Sequence, residues 1–157
     1  MKSVKIAAVG FALGLGAFMA APVWAAEYTA VMPPDIKWQD APSLGPGAKT
    51  AVIDGDPKSS GPFVMRLKLP PNTTIGLHTH PATENVTVLS GTLYFAAGDK
   101  PDPKAAKAFG PGGYFSIGQG KPMVAYSKKS EVVIQLHGTG PWGITYLAAK
   151  DVPAKKK

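Results

Sequence analysis

From residue 49 onward, apolar and polar side chains alternate in short runs broken by turn residues, which is the pattern of sheets with one buried side. The alternation is clearest at 62–69. There Phe63, Met65, Leu67 and Leu69 share one face, and Val64, Arg66 and Lys68 share the other. Residues 131–137 are nearly continuous in Val132, Val133, Ile134 and Leu136, as expected of a strand covered on both faces. The same reading predicts strands at 49–54, 73–77, 84–89, 92–96, 114–117, 122–127 and 142–147. Between them stand turn signals such as Asp54-Gly55-Asp56-Pro57, Pro70-Pro71-Asn72, Ser90-Gly91 and Gly110-Pro111-Gly112-Gly113. Only 103–109, with its alanines and lysines, predicts a helix, of about two turns. Short strands at this spacing predict an all-β, single-domain barrel or jelly roll, whose closure removes exposed edges.

Both ends of the chain read differently. Lys2 and Lys5 precede an uncharged apolar run over 6–21, Pro22 ends it, and Val23-Trp24-Ala25 suits cleavage before Ala26. That run is shorter than the roughly 20 residues a membrane span requires. Residues 1–25 are therefore expected to be a cleaved signal peptide. The mature chain, 26–157, would be periplasmic or secreted, with no stable membrane anchor. Residues 26–47 are rich in Pro, Gly and Ser around Trp38 and predict an arm packed on the domain. Residues 153–157 form a basic tail.

Composition narrows the chemistry. A length of 157 residues suits one domain, and 18 glycines with 16 prolines are nearly twice the usual share, in keeping with many turns. Without Lys2, Lys5 and Lys155 to Lys157 the formal net charge falls from +7 to +2, so the body carries no basic surface suited to nucleic acid. The chain has no cysteine, which excludes disulfides, thiolate nucleophiles and Cys-ligated metal. Gly110-Pro111-Gly112-Gly113 lacks the lysine and helix of a phosphate loop, and no Gly-x-Ser-x-Gly elbow occurs.

The chemistry-bearing stretch is 76–91. His78 and His80, two apart on a strand, present imidazoles on one face. Pro81-Ala82-Thr83 turns the chain, and Glu84 opens the next strand on the face of Val86 and Val88. Two neutral imidazoles and a carboxylate are a common divalent-metal set, and with open positions they match the facial triad of non-haem iron sites. A His-x-His pair alone occurs by chance on surface loops. Here, however, it uses two of three histidines and is followed by one of three glutamates.

The pattern His78-x-His80-x3-Glu84-x6-Gly91 resembles the first signature motif of the cupin superfamily. The stretch from Gly112 to Tyr126 is similar to an altered second motif, and 133–146 resembles the ending of small exported bacterial cupins. The resemblance covers about 35–152. It implies a double-stranded β-helix that holds one divalent or transition-metal ion (iron, manganese, zinc or copper) through His78, His80 and Glu84. Met123 stands where the family's remaining histidine ligand is expected. It is a thioether ligand suited to copper, a neighbour packed beside the metal, or the mark of a lost site. His137, Gln135 and Tyr126 are candidate neighbours of the site, and Trp142 is a candidate pocket wall. The implied functions are binding of a small organic molecule, acted on by dioxygenase, isomerase or decarboxylase chemistry, or non-catalytic metal or ligand sensing in the cell envelope. Pairing of two copies through their sheets is a further expectation.

Overall fold

A computed structural model describes residues 28–153. The expected signal peptide at 1–25 and residues 154–157 of the basic tail lie outside the described residues. Two antiparallel sheets face one another. The first contains β1 (Gln39–Asp40), β2 (Lys49–Gly55), β3 (Pro62–Leu69), β5 (Glu84–Ser90), β8 (Tyr114–Ile117) and β10 (Val132–Thr139), in the order β1-β2-β3-β10-β5-β8. The second contains β4 (Thr74–Thr79), β6 (Leu93–Ala97), β7 (Lys107–Phe109), β9 (Met123–Tyr126) and β11 (Thr145–Tyr146), in the order β11-β4-β9-β6-β7.

The core fills the space between the sheets. Met65, Leu67 and Leu69 of β3 meet Ile134 and Leu136 of β10 and Val86 and Val88 of β5, all at most 5% exposed. Ile75, Leu93 and Ala125 close it from the second sheet. The arm contributes too: β1 pairs with β2, Trp38 lies under the Lys68 ammonium at 4.7 Å, and Leu44 is buried in the core. Gly91 turns the chain from β5 into β6 at φ 74°, where an added Cβ would stand 2.2 Å from the Glu131 carbonyl oxygen, so only glycine fits.

Three expectations change. Residues 103–109 are not an α-helix: a 3₁₀ turn at Pro103–Ala105 leads into β7. Pairing of Lys107 with Phe95 and packing of Phe109 on Phe95 and Phe115 override the helical propensity of alanine and lysine. The segment 142–147 contains only the two-residue β11. Strand β10 buries one face rather than two, with Val132, Ile134 and Leu136 inside and Val133, Gln135 and His137 on the other side.

Candidate functional site

The inward aim of His78 and His80 comes from a break in β4. Ile75 is buried, so strict alternation would next bury Leu77 and Thr79 and turn both histidines out. The ladder with β9 pairs Ile75 with Ala125 but His78 with Met123, which leaves one extra residue on β4. This bulge inverts the parity. His78 and His80 are consequently only 1% and 5% exposed, with ring centroids 4.8 Å apart.

Each imidazole is fixed by a backbone carbonyl. His78 Nδ1 donates to the Gly76 carbonyl and His80 Nδ1 to the Gly143 carbonyl, both at 2.6 Å. A carbonyl can only accept, so the proton of each neutral ring is on Nδ1 and Nε2 keeps its lone pair. Burial holds His78 down to about 4, with the Gly76 carbonyl opposing the shift, and burial lowers His80 against the pull of the Gly143 carbonyl. Both rings are thus neutral at pH 7.

Glu84, at the start of β5, is 3% exposed. Burial pushes its carboxyl up to about 8, partly offset by the nearby Trp142 indole. Its Oε2 lies 3.4 Å from His80 Nε2, yet the contact lacks hydrogen-bond geometry and His80 Nε2 has no partner. The buried Trp142 Nε1 lies close to the same carboxyl and favours its anionic form. The indole stacks on His80 with centroids 5.0 Å and planes 15° apart. It belongs to a strap over 140–144, which is tied down by the Trp142 N–H to the Pro57 carbonyl and by the Gly140 N–H to the Gly61 carbonyl. Tyr146, 5.9 Å from the His78 ring, donates to the Ser43 carbonyl and so joins the arm to this strap's end of the barrel.

His78, His80, Glu84 and Trp142 line one interior cavity of about 20 Å³, with Met123 on the same wall and apolar residues such as Leu44, Phe115 and Ile144 around the rest. That volume holds about one water-sized occupant. Of the residues singled out in the sequence, His78, His80, Glu84, Met123 and Trp142 meet here. His137, Gln135 and Tyr126 do not. His137 is exposed beside Asn85, and Gln135 accepts from Arg66 on the outer face of the first sheet. The Tyr126 hydroxyl donates to the Pro103 carbonyl on the outer face of the second. The Gly76 and Gly143 carbonyls had no side-chain signal that could have marked them in advance.

Among the described residues, no group of three or more His, Cys, Asp or Glu side chains is arranged, as the side chains stand, to hold a metal ion. The donor set nevertheless suits one. The unpaired His80 Nε2 keeps its lone pair beside a carboxyl in this mostly apolar cavity, and carbonyl-anchored imidazoles are the usual support of metal-ligating histidine. Binding a cation would displace the Glu84 proton, a normal cost of loading a metal site.

No family model matches the chain, and no curated protein matches it. Solved structures do. The polyketide cyclase RemF from Streptomyces resistomycificus aligns with a TM-score of 0.62 at 14% identity, over 82% of this chain and 100% of its own. An RmlC-like cupin protein from Ralstonia eutropha aligns at 0.62 and 16%, over 80% and 75%. The DMSP lyase DddQ from Ruegeria pomeroyi aligns at 0.57 and 15%, over 71% and 61%. Identities this low carry the architecture and nothing finer, and that architecture is plain: the chain has the cupin fold, a double-stranded β-helix.

Proposed function

We propose that this cupin-fold chain is an exported protein that binds one divalent or transition-metal ion through His78, His80 and Glu84, with the Met123 thioether beside it. The observation that carries the reading is the buried His80 Nε2, which faces the Glu84 carboxyl with no hydrogen-bond partner. An unsatisfied buried polar atom costs roughly 1–3 kcal/mol, and a cation at that point would relieve it. A bound ion would supply Lewis acidity toward an oxygen ligand. The chain's own residues do the rest. Gly76 and Gly143 hold the imidazole tautomers, Glu84 gives up a proton to become the anionic ligand, and the apolar wall keeps bulk water away.

Proteins of similar fold include a polyketide cyclase and a lyase, so a small-molecule ligand for this chain belongs to the proposal. A cavity of about 20 Å³ is too small for an organic molecule as its walls stand, so such a ligand requires the lining to open. The second reading, a copper-binding envelope protein without catalysis, draws on Met123, which lines the same cavity and pairs with His78 across the ladder. Calorimetric titration of the metal-free chain with zinc and with copper(I) tests both. One site per chain that is lost in His78→Ala supports metal binding, and a marked preference for copper(I) favours the second reading. No heat of binding with either ion refutes both.

A further inference from the structure

We propose that the groove on the outer face of the second sheet binds an amphipathic organic anion, an apolar body carrying one carboxylate, with Lys104 and Lys128 holding the charged end. The groove lies across the barrel wall from the metal cavity and shares no lining residue with it, so this inference stands apart from the metal reading.

Its floor is Val124 and Tyr126 of β9 with Thr74, Gly76 and Leu77 of β4. The bulge that turns His78 inward leaves Gly76 and Leu77 together on this outer side. Two 3₁₀ turns make the walls. Pro103–Ala105 is fixed by the Tyr126 hydroxyl, which donates to the Pro103 carbonyl at 2.7 Å. Ala149–Asp151 presses onto β4 where Gly76 has no Cβ. The space between them is about 580 Å³, inside the roughly 300–1,000 Å³ range of small-molecule sites. The cations stand on one side of it. Lys104 and Lys128 line the groove, and neither is ion-paired among the described residues. The Lys128 ammonium lies 3.9 Å from the centre of the Tyr94 ring, which stacks on Tyr126 at 5.1 Å, so a cation–π contact positions it before a ligand arrives. The Asp102 carboxyl beside Lys104 already accepts the Lys104 backbone N–H at 2.8 Å. Asp151 is the acidic group on the opposite wall, and its charge directs an anion toward the lysines. Two cations above an apolar and aromatic floor suit a carboxylate on an apolar body. A second copy of this chain suits the face less well, because a two-fold contact would bring the same lysines together.

Naphthoate is the probe, followed by its fluorescence and by calorimetry, with uncharged naphthamide as the control. The full wild-type chain is expected to bind naphthoate saturably and more tightly than naphthamide. Lys104→Gln combined with Lys128→Gln should weaken naphthoate binding about fivefold to tenfold and leave naphthamide unchanged. Thr74→Trp, at an exposed strand position where an aromatic side chain is well accommodated, fills the groove and should abolish binding of both compounds. Naphthoate coordinated at the metal, or adsorbed elsewhere, would be indifferent to these substitutions. In the wild type, the backbone amide resonances of Thr74, Leu77, Val124 and Tyr126 should shift on naphthoate addition. That second reading stands even if a variant folds poorly. An absence of saturable binding, equal affinity for naphthoate and naphthamide, unchanged naphthoate affinity in either variant, or still resonances in the groove would each overturn the proposal.

Discussion

Ile75 and His78 face the same interior although they stand three apart on one strand. The bulge between them inverts the parity of β4, and the Gly76 carbonyl inside it accepts a hydrogen bond from His78 Nδ1–H. Gly76 also lets the C-terminal segment press against β4, since a Cβ there would lie 2.5 Å from the Asp151 backbone oxygen. Gly76→Ala is therefore expected to destabilise the chain by about 1–3 kcal/mol through overpacking and to weaken metal binding by disturbing His78. Urea unfolding and calorimetry check the two effects.

The stability of the metal-free chain should decline as pH rises above about 6.5. Glu84, raised from 4.5 to about 8, keeps its proton in the folded chain where the unfolded chain has released it, so stability falls as pH rises through that window. His78, lowered from 6.5 to about 4, stays neutral where the unfolded chain takes up a proton, so stability falls as pH drops through its own window, and His80 acts in the same direction. Between 4.5 and 6.5 the opposing slopes offset one another. Above 6.5 only Glu84 remains, with a decline of at most about 1.4 kcal/mol per pH unit. Urea unfolding from pH 5 to 9 should show this alkaline decline in the wild type and its absence in Glu84→Gln.

Met123→His should tighten zinc or nickel binding by about tenfold or more, because the new imidazole would enter the wall that His78, His80 and Glu84 already line. Unchanged affinity would mean that the position does not reach the ion.

His137→Ala should leave metal content unaltered and change stability by less than about 0.5 kcal/mol, since the side chain is exposed and the neighbouring Asn85 Nδ2 donates to the His137 backbone carbonyl and not to its ring. A loss of metal in this variant would contradict the placement of the site.

Periodicity makes most of the fold legible in the sequence. Strand β3 matches its expected span because each alternate residue is a large apolar one and Pro70 marks the end. The sharing of one inner surface by His78, His80 and Glu84 was also legible, although for an incomplete reason. Regular alternation relates the histidines to each other, but only the unforeseen bulge relates them to the core, and glycine at 76 was its sole trace. His137 was misplaced because Val132, Val133 and Ile134 hide the period of β10, so that parity could not be read from composition. The β7 segment was missed because its fate depends on a partner strand and not on its own alanines. The two carbonyls that orient the imidazoles are backbone atoms, invisible to any reading of side chains.

Elemental analysis of the purified chain beside its His78→Ala, His80→Ala and Glu84→Gln variants tests the central claim most directly. The account predicts about one transition-metal ion per wild-type chain and a large loss in each variant, with all four proteins folded. A wild type free of metal, or variants that retain it in full, would contradict the account.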